Sequence, residues 1–215
     1  MKTLALLFLS TTLAFACKQT TTNQPDHGSG APPTAAPPTT TRPPAANADR
    51  VEVLARHNKR ASSEDLDTDP VVVHFDKFAV AKAHFDPTNL EGGTATIELD
   101  LASIKTGSIE RDEDLKSPEY FDLARFATAT IEVANVKKQA DTKYTAAATV
   151  AFHGVTKTYQ VTFEVLATTA DTVRIKGEHA FSRLDFSLSS DPDKDPEQRI
   201  DAMLTIQLVI TLKTS

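Results

Sequence analysis

The sequence predicts an all-β domain: an antiparallel sheet of about eight strands closed into a tall barrel, with short helical turns covering one end. Three observations carry this. Apolar residues recur at every second position along most of the chain after residue 70. Stretches bearing glycine, aspartate or proline separate the alternating runs. One charged stretch, Ser103 to Asp122, breaks the alternation and has helix-like signals instead. Strands with one wet face and one dry face are what an antiparallel sheet requires.

The chain begins with Met1-Lys2-Thr3, a short positive start, followed by an almost wholly apolar run from Leu4 to Phe15. That run is too short to span a bilayer and has the shape of a signal-peptide core, so residues 1–16 read as a signal peptide. It ends in Ala14-Phe15-Ala16-Cys17. Ala14-x-Ala16 suits ordinary signal peptidase. A small residue directly before Cys17 also resembles a bacterial lipobox, although Leu13 stands four residues before the cysteine rather than three. Cys17 is the only cysteine, which excludes an internal disulfide, and acylation gives it a reason to be there. The chain is therefore expected to be a lipoprotein held on a membrane through acylated Cys17, with a secreted form as the alternative. Lys18 in place of an aspartate resembles the outer-membrane sorting signal of enterobacteria, on the periplasmic face or the cell surface.

Residues 17–49 hold seven prolines and a Thr39-Thr40-Thr41 run, with almost no large apolar side chain. Such a segment cannot offset the entropy of folding and reads as an extended tether. Residues 50–215 then form one domain. The net charge of −6 argues against a nucleic-acid partner, because phosphate binding needs clustered Lys and Arg. The sequence leaves the oligomeric state open, a homodimer included.

Within the domain, Val71 to Phe78 and a less regular Ala79 to Phe85 open the strand series, and Val51 to Leu54 is a further candidate strand. Thr94 to Leu101 puts Ile97, Leu99 and Leu101 on one face. Ala129, Ile131 and Val133 share the next, and Tyr144, Ala146, Ala148, Val150 and Phe152 the one after. Tyr159, Val161, Phe163 and Val165 follow, then Val173, Ile175, His179 and Phe181. The run Ile200 to Leu212 closes the chain with Ala202, Leu204, Ile206, Leu208, Ile210 and Leu212 inward. His153-Gly154 reads as a hairpin loop, Asp171-Thr172 as a turn, and Asp191 to Glu197 as an acidic loop. Long serial strands favour a closed barrel, which removes exposed edges. In the charged stretch, Ser117-Pro118-Glu119 has the signals of a helix start, and Ile109 to Leu115 those of another short turn, with Arg111 and Asp114 spaced to pair.

Three motifs here resemble those of the YceI family: Ala102-Ser103-Ile104-Lys105-Thr106-Gly107 with Arg111-Asp112 and Ser117-Pro118-x-x-Phe121-Asp122; His153-Gly154-Val155-Thr156-Lys157; and Phe181-Ser182-Arg183-Leu184-Asp185-Phe186. The resemblance implies a lipocalin-like barrel of the bacterial envelope that holds a polyisoprenoid or other long-chain lipid in an apolar cavity. One departure is visible: where the family has glycine after the last motif, this chain has Ser187-Leu188-Ser189-Ser190.

On that implication the cavity-lining candidates follow the inward faces. They are Phe75, Phe78 and Val80 early in the domain, then Ile97, Leu99, Leu101, Ile131 and Val133. Ala146, Ala148, Val150, Phe152, Phe163 and Val165 come next, followed by Phe181, Leu204, Ile206 and Leu208. Arg111, Leu115, Tyr120 and Phe121 are expected at the mouth. Two interiors remain open: a cavity to which the alanines lend room, or a solid core in which they pack against phenylalanines. A tethered interaction module with a filled core is the alternative function. Arg111 either meets a ligand head group or, with Asp112, ties the turns to strand ends; Arg183 and Asp185 either pair across the barrel end or act likewise. His179, inward, is expected as a hydrogen-bonded core histidine, and His153 as a hairpin residue. The six histidines have no metal-ligand spacing, and no Gly-x-Ser-x-Gly is present, so no enzyme, cofactor or metal is expected. Convergence of His179, Arg111 and Asp185 in one pocket would favour an enzyme.

Overall fold

The computed structural model describes residues 48–56, 70–188 and 200–214. The expected signal peptide, Cys17, nearly all of the tether, Ser189-Ser190 and the acidic loop at 191–197 lie outside the described residues. Ten strands follow in order: β1 (Arg50–Ala55), β2 (Val71–Phe75), β3 (Phe78–Asp86), β4 (Asn89–Asp100), β5 (Ile104–Lys105), β6 (Thr128–Lys138), β7 (Lys143–Phe152), β8 (Val155–Thr168), β9 (Thr172–Ser182) and β10 (Met203–Lys213). One helix, α1 (Ile109–Lys116), stands between β5 and β6.

All strands join one antiparallel sheet in the order β3-β4-β6-β7-β8-β9-β10-β1-β2-β5. The two ends of that order continue strands inside it. β3 follows β2 across Asp76 and Lys77, and β5 follows β4 across the 3-10 turn Leu101–Ser103. The bent strand 71–86 thus pairs with β1 through its first half and with β4 through its second. The sheet curls back on itself, and the ten segments reduce to eight strand tracks. The candidate strand Val51 to Leu54 is β1, paired with both β10 and β2. Beyond β1, the rest of β10 is held by Asp49, whose Oδ2 accepts from Thr211 N at 2.8 Å, and by Thr214 Oγ1, which donates to Phe85 O of β3 at 3.1 Å.

Asp100 N donates to Lys77 O at 3.0 Å across the bend, and one side chain, Ser103, adds to it. Ser103 Oγ accepts from Lys77 N at 3.0 Å and donates to Asp100 O at 2.6 Å, while its carbonyl accepts from Asp76 N at 3.3 Å. Beside it, Ile104 is wholly buried. The first resembling motif is thus a strand clamp.

The charged stretch forms one helix, and it is the earlier of the two candidates. Ser108 caps α1 by accepting from Arg111 N, and Glu110 and Asp112 lie in the first turn, where the helix dipole favours acids. Ser117 is its C-cap rather than an N-cap. The chain from Ser117 to Phe126 runs in successive turns, closed by Tyr120 N and Asp122 N donating to Ser117 O and by Phe126 N donating to Asp122 O. The serine-proline signal loses because Ser117 is already committed to ending α1: its own N–H donates to Asp114 O.

The β7–β8 hairpin turns on His153 (φ 50) and Gly154 (φ 73), the two positive φ values of a two-residue loop matched to strand twist. His153 does more than serve its hairpin. Its Nδ1 lies 3.0 Å from Phe186 O, which ties the loop to the 3-10 turn Arg183–Phe186. That turn ends at Ser187 with φ 57, a left-handed conformation that glycine adopts more readily.

Two substitutions test these devices. Ser103→Ala leaves the Lys77 N–H of the bend unpaired and should cost about 1–3 kcal/mol in urea unfolding. Ser187→Gly removes a strained φ and should stabilise by about 1 kcal/mol, or raise the melting temperature by a few degrees. A neutral result for the first would mean that the bend needs no side-chain clamp; a loss for the second would mean that Ser187 contributes more than backbone shape.

Candidate functional site: an apolar cavity inside the sheet

The curled sheet encloses a cavity of about 570 Å3. That is within the roughly 300–1,000 Å3 of sites that bury small-molecule ligands. Inward positions of the long strands build its wall. β4 contributes Ile97 and Leu99, and β6 contributes Ile131 and Val133. Ala148, Val150 and Phe152 come from β7, Phe163 from β8 and Phe181 from β9. β10 adds Leu204, Ile206 and Leu208, with Phe75 from β2 and Leu101 from the turn after β4.

Four expected lining residues stand off this wall. Ala146 is 0 % exposed, in solid core beside Tyr144, whose ring stacks on Phe163 at 5.5 Å. Val80 and Val165 each sit at a register shift, between Val80 and Lys82 and between Val165 and Ala167. Bulges re-aim side chains, and a strict period of two does not anticipate them. Phe78, two residues before the first shift, packs with Val80 against the buried core.

Sequence reasoning also left out residues that line the wall. Tyr159 and Val161 share the face of Phe163, and Ile175, Gly177 and His179 share that of Phe181. The alternation contained them. Gly177 was the least legible, since an absent side chain carries no polarity. A Cβ there would meet Leu208 and Phe163 at ordinary contact distance, 3.6–3.7 Å, so the glycine leaves room next to the cavity. Val53 and Ala55 of β1 line it too.

The mouth is built by α1 and the turns after it. Arg111, Leu115, Tyr120 and Phe121 all border the cavity, joined by Ser108, Glu110, Asp114 and Arg183. Arg111 and Asp112 divide the two roles considered for them. Asp112 is buried, and its Oδ1 accepts from Thr106 N and Thr106 Oγ1, both at 2.7 Å. Lys105 Nζ stands 3.6 Å from its other oxygen, so Asp112 fastens α1 to β5. Arg111 borders the mouth, and its Nη1 reaches Thr106 O at 3.5 Å rather than Asp114.

Arg183 and Asp185 turn to different partners. Arg183 donates to Leu188 O at 2.6 Å, Ile200 O at 3.2 Å and Asp201 O at 3.3 Å, which binds the last 3-10 turn to the start of β10. Asp185 Oδ2 accepts from Tyr159 Oη at 3.0 Å. Between them Phe186, 1 % exposed, packs among Phe152, Tyr159 and Phe181 with ring centroids 5.6–6.4 Å apart. Aromatic pairs at this spacing contribute beyond their buried area.

His179 differs from its expectation. It is half-buried on the wall, its ring 5.1 Å from that of Tyr159, and its nitrogens meet no hydrogen-bonding group among the described residues. Burial lowers its pKa, so the ring is neutral at pH 7. The Tyr159 hydroxyl is pushed up to about 12, by burial first and by its bond to Asp185 second. His179 and Arg111 border one cavity, but Asp185 serves Tyr159, and among the described residues no carboxylate orients His179. A histidine base needs such an orienting partner. Among the described residues, no group of three or more His, Cys, Asp or Glu stands ready to hold a metal ion.

The pKa of His179 has a sign that can be checked. In a ring-nitrogen NMR titration its midpoint should fall below 6.5. As pH drops through that window the unfolded chain takes up the proton first, so this group withdraws stability. A midpoint at or above 6.5 would mean that the wall around it is wet or anionic.

The fold and its site define a class: an antiparallel barrel that keeps an apolar cavity instead of a filled core. Within it the chain belongs to the YceI-like family, whose domain matches residues 50–212. It is 30% identical over 76 residues to a UPF0312 protein of Ectopseudomonas mendocina, covering 35% of this chain and 40% of that one. To a UPF0312 protein of Vibrio cholerae it is 24% identical over 97 residues, covering 45% and 51%. The chain thus spans about half the length of these curated relatives or less. Solved structures share the fold. Burkholderia cenocepacia BcnA superposes with a TM-score of 0.64 at 20% identity, over 77% of this chain and 96% of that one. A domain from Saccharophagus degradans, described as polyisoprenoid-binding, gives 0.59 at 16% identity, over 78% and 94%.

Proposed function

We propose that the protein binds a polyisoprenoid or a similar long apolar lipid in this cavity, and sequesters or carries it at the bacterial envelope. The observation that carries this reading is the cavity itself, about 570 Å3 walled by aliphatic and aromatic side chains. A tethered module with a filled core would not leave it. Each methylene transferred from water to such a wall contributes about 0.8 kcal/mol, so a long chain binds tightly without a strong polar contact. The polyisoprenoid-binding description of the Saccharophagus degradans domain supports the ligand class.

In this reading the chain is a binding protein, not an enzyme. Residues 1–16 direct export, Cys17 is acylated, and residues 17–49 tether the barrel to a membrane, the outer membrane by preference. A membrane anchor and a lipid-sized cavity on one chain suit a carrier that stays near its source of cargo. A homodimer is compatible with it.

Native mass spectrometry of the full chain, purified from bacterial membranes without detergent exchange, tests the reading. A bound mass of several hundred daltons is expected, on the order of a ligand that fills such a site. Ala148→Leu projects into the cavity and should lower ligand affinity at least ~10-fold with little loss of stability. Ala146→Leu, in solid core, should instead cost about 1–3 kcal/mol of stability. An apo mass, with no uptake of added polyprenyl lipids, would overturn the proposal.

A further inference from the structure

Almost every side chain that reaches the cavity from a strand is apolar. Thr94, Thr162 and Glu178 border it, but they alternate with inward residues and are exposed on the outer face. The remaining polar residues lie outside the strands: Ser108, Glu110, Arg111, Asp114 and Tyr120 in α1 and the turns at the mouth, Arg56 just after β1, and Arg183 in the last 3-10 turn. Two polar side chains are left on inward strand positions: Tyr159 of β8 and His179 of β9. They are neighbours, with rings 5.1 Å apart.

Their hydrogen-bonding capacity is specific. The Tyr159 proton is committed to Asp185, 3.0 Å away, which leaves the phenol oxygen only as an acceptor. The neutral His179 ring offers one N–H donor and one lone pair, with no protein partner for either among the described residues. A polar group facing an apolar space is costly unless something bonds it. The pair therefore presents one donor and two acceptors to whatever fills the cavity. A hydroxyl both donates and accepts, so it can take the His179 N–H and give its own proton to one of the two acceptors. A fully ionised phosphate fits less well: it has no proton for the Tyr159 oxygen, and the Asp185 carboxylate bonded to Tyr159 stands beside the pair. The Arg183 guanidinium is turned to the carbonyls of Leu188, Ile200 and Asp201.

We infer that Tyr159 and His179 form a subsite for an uncharged hydroxyl on the apolar ligand, so that the cavity selects a long-chain alcohol over both its phosphate ester and the bare hydrocarbon. This rests on the apolar-cargo reading above. It adds a polar selectivity that an aliphatic wall alone cannot supply. One hydrogen bond in a dry site is enough to matter, because sites built to bond a hydroxyl strongly reject analogues that lack it.

The experiment compares three probes of similar chain length on the full-length protein: a polyprenol, the matching polyprenyl phosphate and a polyprene hydrocarbon. Binding is read as dissociation constants from native mass spectrometry titrations. The polyprenol should bind about 10-fold or more tighter than either of the others. His179→Phe should remove that advantage, bringing the dissociation constants of polyprenol and hydrocarbon together. His179→Gln, which keeps a donor and an acceptor, should retain most of it and guards against a folding defect in the phenylalanine variant. Equal loss for all probes in His179→Phe, or no loss for any, overturns the subsite, as does tightest binding of the phosphate. Failure of all three probes to bind the unmodified protein overturns the apolar-cargo reading, and the subsite with it.

Discussion

The structure depends on one bent strand with two sets of neighbours. Residues 71–86 pair with β1 before the bend at Asp76-Lys77 and with β4 after it. Without the bend the sheet would be open, with β1 and β4 as remote edges and the inward faces exposed to water. Bending a strand strands backbone groups, and buried backbone groups must find partners. Asp100 N meets the Lys77 carbonyl, and Ser103 supplies partners for the two N–H groups through its carbonyl and hydroxyl, which explains a serine in an otherwise apolar corner beside Ile104. The 3-10 turn that holds Ser103 is also the step from β4 to β5, so both tracks that meet at the closure change direction at one point.

The covered end follows from this closure. β5 is only two residues long, and the chain leaves it directly into the Thr106–Asp112 bonds that fasten α1. On the other side of the mouth, Arg183 and Phe186 fasten the last 3-10 turn by charge-assisted bonds to carbonyls and by aromatic packing. The three resembling motifs thus have a shared physical task. Each fixes a connection at one end of the barrel, and together they add to the wall only aromatic rings at that end, those of Phe121, Phe181 and Phe186. That wall needs only inward apolar side chains of suitable size, which many sequences satisfy. The connections need particular bonds, which few do. Solved relatives at 16–20% identity that keep the fold are what this division of labour allows.

Much of the fold was legible because it rests on periodicity. The faces of β4, β6, β7, β8, β9 and β10 follow from alternation alone, and most lining residues with them. Illegible features break the period or depend on contacts distant in sequence. Val80 and Val165 lie at bulges that no local signal announces. Of the two helical turns expected, the second, at Ser117-Pro118-Glu119, does not start a helix, and only the turn geometry shows that Ser117 instead ends α1. Asp112 and Arg111 are adjacent and both charged, yet one is buried and the other borders the mouth, since adjacent residues on a helix point about 100° apart. Tyr159 and His179 were visible as inward residues. Their significance was not, because it lies in what they lack: among the described residues, a partner for the imidazole, and on the phenol, a proton left over from Asp185.

The cavity is itself the strongest argument for a guest. At about 24 cal/mol per Å3 of residual cavity, an unfilled volume of this size forgoes packing on the order of 10 kcal/mol, comparable to the whole stability of a typical domain. Filling it would be easy in sequence terms. Gly177 accepts a Cβ at ordinary contact distance, and Ala148 lies on the wall itself. A chain that needed only a stable barrel would gain from larger residues at both positions. This one keeps glycine and alanine there, and packs large rings at the covered end, where Phe121, Phe152, Phe181 and Phe186 close on one another. Solid packing is thus concentrated where connections must be held, and space is kept along the strands. A ligand that occupied the space would restore the missing contacts and so link binding to stability: a loaded barrel would be the more stable by an amount that grows with the logarithm of free ligand over its dissociation constant.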